Sequence, residues 1–225
     1  MDRAGFKQNN SFEYYKGERE ETAVLLHGWH NQAEDMRPLA QFLHRQEYSV
    51  LNYNYLTSCH RIETFSSMFR EELQSCYLNG PILFLTHSMG SIVLRHTLLK
   101  MFRSELQNIQ AIVMLGPPNR GANWAALADF GLSNNISVGG LRKDSATLQV
   151  RLPASPRLSI GIIAAEQDAL VPLENSKFPE DDPMAIKHNI HWISLNCGHN
   201  DLKDPQRSGR LILNFFQKQA FDSDV

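Results

Sequence analysis

The chain has 225 residues, 42% apolar and 20% charged, the balance of a folded globular protein long enough to bury a core without disulfide or metal support. Its 22 Lys and Arg against 24 Asp and Glu give a net charge of −2, with no basic block, which argues against nucleic acid or an acidic membrane surface as the main partner. Its 3 Cys (Cys59, Cys76, Cys197) are odd in number and scattered, so neither a disulfide framework nor a thiolate zinc site is supported.

Residues 1–21 are polar and aperiodic and read as a loose arm or a poor edge strand, and 22–225 read as one domain. Met1 to Tyr15 lacks the apolar stretch of a signal peptide, no run of 18 apolar residues exists to span a membrane, and a cytoplasmic location is expected. From Thr22 onward, short apolar runs alternate with amphipathic ones. Thr22–Leu26 (TAVLL) predicts a buried strand. Met36, Leu39, Phe42 and Leu43, at helical spacing, predict a helix from near Glu34. Tyr48–Tyr55 is the next strand, and Ile62, Phe65, Met68, Phe69 and Leu73 mark a second helix, stopped by Asn79-Gly80. Pro81–Leu85, Ala111–Leu115, Ser159–Ala164 and Ile190–Leu195 predict four further strands. A helix over Ile92 to Met101 follows the first of them, and a closing helix carries Leu211, Ile212, Phe215 and Phe216, capped near Asp204.

Strands alternating with helices imply parallel crossovers and a sheet covered on both faces. Residues 117–157 interrupt the alternation. About forty residues without a clear strand are uncommon in a compact domain unless they are functional, so this stretch is expected to act as a cap or to border a pocket.

In an open parallel sheet, ligands bind at the carboxyl ends of the strands, so the residues that follow each strand carry the functional reading. After Pro81–Leu85 comes Thr86-His87-Ser88-Met89-Gly90, a variant of the strand-to-helix turn that holds a nucleophilic serine at its apex. After Thr22–Leu26 comes His27-Gly28-Trp29-His30. Gly28 lets the Trp29 amide turn inward beside that of Met89, the two N–H groups an oxyanion needs.

After Ser159–Ala164 comes Glu166-Gln167-Asp168-Ala169-Leu170-Val171-Pro172. Asp168 is the preferred carboxylate to orient an imidazole, with Glu166 as the alternative. After Ile190–Leu195 comes Cys197-Gly198-His199-Asn200-Asp201, in which His199 lies on a glycine-bearing loop able to reach back to a central strand. Asp201 reads better as a helix-starting or solvated residue, and His27 and His87 as supports of their turns. Pro118, Leu170 and Trp124, the last in a short apolar stretch 124–130, are expected to line a substrate pocket. For Trp124 the competing reading is a helix that only packs on the sheet, and for the Pro118 loop a rigid turn without substrate contact. Asp181 and Asp182 cannot by themselves supply a calcium shell, and no metal site is expected.

The fragments HGW, THSMG, LGPPNRG, DALVP and GHND together resemble the α/β-hydrolase superfamily, and within it the compact lipase/esterase branch that includes small lid-poor bacterial lipases and GPI inositol-deacylase-like proteins. The likeness spans about residues 22–219. It implies an α/β fold with a mostly parallel sheet of about six strands and helices on both faces, and a triad in the chain order Ser, acid, His. It implies a serine hydrolase that cleaves acyl esters of small molecules or lipids through Ser88, Asp168 and His199, with no cofactor. Two departures stand out: Thr86 and Ser91 occupy positions where these proteins often carry glycine, which bears on how sharply the turn at Ser88 bends, and the N-terminal arm is too short and polar to supply the first two antiparallel strands of the larger members, which implies the minimal sheet of about six strands. The same triad also serves thioesterases, amidases and acyltransferases, and a ligand- or partner-binding protein with little turnover is the alternative from another class. Nothing in the sequence sets an oligomeric state.

Overall fold

Six β-strands run parallel and one antiparallel in a single seven-stranded sheet of order β1-β3-β2-β4-β5-β6-β7. The structure is a computed structural model that describes residues 11–76, 78, 80–123, 136–143, 145–149, 158–180 and 189–221. The strands are β1 (Phe12–Tyr15), β2 (Thr22–Leu26), β3 (Ser49–Tyr53), β4 (Ile82–His87), β5 (Ile109–Leu115), β6 (Ser159–Ala165) and β7 (Asn189–Leu195). The helices are α1 (Ala33–Arg45), α2 (Ile62–Ser75), α3 (Met89–Leu99), two short helices α4 (Arg103–Leu106) and α5 (Ile136–Gly139), and the closing α6 (Pro205–Lys218).

The strand runs are apolar without alternation because both faces of the sheet are covered. Val24, Leu26, Phe84, Ile112 and Met114 pack with α2 and α3. Their neighbours Ala23, Leu25, Leu85, Val113 and Leu115 pack on the other side with α1 and α6, as the two-residue period of a strand requires. The closing helix starts where the sequence places it. The Asp204 carboxylate accepts the Gln206 N–H at 2.9 Å, and Pro205 opens the first turn, where its missing N–H costs nothing.

The expected sheet of about six strands has a seventh. The polar arm realises its edge-strand reading, with Phe12–Tyr15 pairing antiparallel to β3. The arm is itself short and polar and its partners on β3 are distant in sequence, which is why periodicity does not reveal it. Glu13 pairs with Arg37 of α1 and accepts from Asn52 Nδ2 at 3.0 Å, and the Phe12 ring lies 4.9 Å from that of Tyr53. The helix expected from Ile92 begins three residues earlier, at Met89, directly off the strand, and this brings Ser88 to the junction.

Candidate active site

Ser88 stands between β4 and α3 with φ 53° and ψ −126°, a region that residues with a Cβ rarely adopt and that persists only when the surroundings impose it. They do so here. Ser88 N–H donates to Leu115 O at 2.8 Å and Ser91 N–H donates to Ser88 O at 3.0 Å. Thr86 and Ser91, in the places where glycine was expected, are both buried and hydrogen bond to each other through their hydroxyls at 2.7 Å. The bend is therefore kept, and two small polar residues brace it from beneath.

The helix can leave the strand at this angle because its first turn lies against β2. A Cβ on Gly90 would come within 2.5 Å of His27 O and 2.8 Å of Leu26 O. Gly28 is as closely confined, since a Cβ there would lie 2.9 Å from Ser88 Cβ and 3.0 Å from His87 Nδ1. Met89 is the first residue of α3, so its amide has no intrahelical partner. Trp29, directly after Gly28, borders the same cavity as Ser88.

His199 and Asp168 meet. His199 Nδ1–H donates to Asp168 Oδ2, between side chains that are 9% and 1% exposed. Asp168 is aimed by its own loop: its Oδ1 accepts the N–H groups of Leu170 at 2.9 Å and Val171 at 2.8 Å. The alternative carboxylate, Glu166, is exposed and accepts instead from the Ser194 hydroxyl at 2.8 Å. Asp201 caps its own turn, accepting from Gly198 N–H at 2.9 Å.

The two other histidines are buried supports. His27 Nδ1–H donates to Gly28 O at 2.9 Å, and Nε2 accepts the Tyr55 N–H at 3.3 Å. Burial pushes its pKa down to about 4, so the ring is neutral near neutral pH. His87 Nε2–H donates to His199 O at 3.2 Å, and its ring lies 4.7 Å from that of His199. Complete burial, reinforced by the neighbouring imidazole, holds its pKa well below the usual range.

Ser88 and His199 both line a cavity of about 460 Å³, together with Trp29, Pro118 and Leu170. Val171, Val138 and Leu141 also line it, and the sequence reading did not single these out. Val171 had a signal in D-x-x-V-P, but Val138 and Leu141 lie in a stretch without periodicity. The Pro118 loop is a cavity wall held firmly in place, with Asn119 Nδ2 donating to Ser176 O at 2.8 Å and Arg120 to Phe178 O at 2.7 Å. Trp124 and the rest of 124–130, like Asp181 and Asp182, lie outside the described residues. Among the described residues, no cluster of three or more His, Cys, Asp or Glu is arranged to hold a metal ion, and no helix is long and apolar enough to cross a membrane.

No protein-family model matches the chain, and no curated protein matches it in sequence. Solved structures do resemble it. A lipase of Bacillus licheniformis in its mature form superposes with a TM-score of 0.71 at 13% identity, over 91% of this chain and 97% of that one. An esterase of Thermogutta terrifontis does so at 0.66 and 12%, over 93% of each chain. A hydrolase of Oleispira antarctica matches at 0.66 and 15%, over 94% of this chain and 96% of that one. Identity this low speaks for architecture alone. Together with the mostly parallel sheet and the strand-end turns, it shows that this chain has the α/β-hydrolase fold.

Proposed function

We propose that the protein is a serine hydrolase that cleaves carboxylic esters through Ser88, His199 and Asp168. The observation that carries this reading is a strained serine and a buried imidazole bordering one cavity, the imidazole paired with a buried carboxylate. Similarity in fold to lipases and esterases supports the ester as the bond attacked.

With its Nδ1 proton held by Asp168, His199 has Nε2 as the unprotonated nitrogen, the one that accepts a proton from a serine hydroxyl. Ser88 Oγ then attacks the acyl carbonyl as His199 takes its proton, and the Trp29 and Met89 amides stabilise the oxyanion. The imidazolium returns the proton to the leaving alkoxide, so the alcohol departs and an acyl-serine remains. Water, activated by the same imidazole, releases the acid and restores Ser88. The pair is nearly dry, which strengthens the attraction between the imidazolium and Asp168 at the moment charge develops.

A fluorophosphonate probe tests the assignment. The wild-type protein is expected to be labelled at Ser88 at neutral pH and to turn over p-nitrophenyl esters. Ser88→Ala is expected to lose labelling and roughly a millionfold in kcat, while its thermal unfolding changes little. A folded wild-type protein that stays unlabelled and inactive across neutral and mildly alkaline pH refutes the reading.

A further inference from the structure

The cavity is asymmetric: most of its apolar lining and the polar groups outside Ser88, His87 and His199 come from different loops. Its apolar lining includes Pro118, Val138 and Leu141. It comes from the loops after β5 and β6 and from residues 136–141, and Leu141 packs into the core under α2 and α3. Its polar lining beyond His87, Ser88 and His199 is His30, Asn31 and Asn200, from the loops after β2 and β7, the first of which also carries the apolar Trp29. The second of these loops packs through Cys197 and Leu202 into the opposite core, with α1 and α6.

Lys203 ties the two polar loops together. It sits four residues beyond His199 in the 3-10 turn His199–Lys203, with a side chain only 11% exposed. Its Nζ donates to Asn31 Oδ1 at 2.9 Å and lies 3.7 Å from Asp35 Oδ1. That bond decides which way round the Asn31 amide is held. An ammonium has three donors and no acceptor, so only the amide oxygen can face it, and Nδ2 with its two N–H donors is turned the other way. Among the described residues, none accepts a hydrogen bond from Nδ2.

We infer that Asn31, oriented by Lys203, donates a hydrogen bond to an acceptor oxygen in the alcohol portion of the substrate, so that the site favours esters of oxygen-bearing alcohols over esters of plain alkanols. The acyl chain then lies along Pro118, Val138 and Leu141. The inference rests on the ester-hydrolase reading and adds to it the class of alcohol. Asn31 is a substrate-positioning residue and Lys203 positions it in turn.

The test uses two esters that differ by one atom group, 2-methoxyethyl butanoate and n-butyl butanoate, and reads the ratio of their kcat/KM values. A comparison of ratios cancels any effect of a substitution on the chemistry common to both. Asn31→Asp keeps the shape and the bond to Lys203 but has no donor, and is expected to lower the ratio about fivefold, the worth of one neutral hydrogen bond, through KM for the methoxy ester. Lys203→Met frees the amide to turn and is expected to shift the ratio in the same direction. Lys203→Arg, whose guanidinium also only donates, is expected to retain it. Should Asn31→Asp fail to fold, Asn31→Ala carries the same expectation. An unchanged ratio in the Asn31 variants, with both esters still hydrolysed, overturns the inference and leaves the hydrolase reading standing. A wild-type protein that hydrolyses neither these nor any other ester overturns both.

Discussion

Ser88, Asp168 and His199 sit on turns closed in part by hydrogen bonds within a few residues of each, Ser88 being held also by Leu115 O. Ser91 bonds back to Ser88, Asp168 accepts from the amides two and three residues on, and Asp201 closes the turn that carries His199. The stretch that carries the wall residues Val138 and Leu141, residues 136–143 with 145–149, is built the other way. Thr147 Oγ1–H donates to Glu63 at 2.6 Å, His96 Nε2–H donates to Thr147 O at 2.9 Å, Arg95 donates to Leu148 O at 3.1 Å, and Ser137 Oγ–H donates to His60 O at 2.5 Å. Each of these spans fifty residues or more. The turns that carry these three residues are therefore closed largely by local hydrogen bonds, and the wall is held by long-range bonds to α2, α3 and His60, just before α2.

The contrast is sharpened by substitutions on each side. On the chemical side, Asp168→Asn is expected to lower kcat roughly ten-thousandfold with little structural change. Asparagine still accepts from Leu170 and Val171 but offers His199 a donor, forcing the wrong tautomer, and steady-state kinetics on a p-nitrophenyl ester measures the loss. Next, Gly28→Ala places a Cβ against Ser88 and His87, and a shift of the serine by about 1 Å is expected to cost roughly a hundredfold in kcat. A variant with wild-type kcat shows that the turn yields more readily than its contacts imply.

The buried histidines beneath these turns make a pH prediction. The folded pKa of His27 lies below its unfolded value, so its contribution to stability is full above about pH 6.5 and is lost as pH falls toward 4, an effect of about 3 kcal/mol. His87 acts in the same direction. His27→Gln is expected to flatten the dependence of thermal unfolding on pH across that window, and an unchanged slope removes His27 from this role. The smallest effect belongs to the wall. Thr147→Val removes the bond to Glu63 and is expected to change the preference between acetyl and hexanoyl esters by several-fold, at a stability cost of about 1 kcal/mol. If it altered both acyl lengths equally, the wall would have no part in selecting the chain.

How far each region was legible follows from the same contrast. The starts and ends of all six expected strands fall within two residues of their expected places, because a buried parallel strand must be continuously apolar and must stop where glycine and polar residues begin. The choice between Asp168 and Glu166 was open in the sequence, since both follow the same strand. The pairing with His199 separates them, as Glu166 is drawn out to Ser194.

The sequence by itself determined the layered α/β architecture and the residues that follow each strand, because these depend on hydrophobic pattern and on turn chemistry within a few positions. Tertiary structure alone decided the polar edge strand at Phe12–Tyr15, the hydroxyl pair that braces Ser88 in place of glycine, the wall made by Val138 and Leu141, and the grip of Lys203 on Asn31. Apart from that hydroxyl pair, whose members are five residues apart, each of these is a contact between groups far apart in the chain, whose partners leave no periodic or local mark and become neighbours only when the sheet has formed.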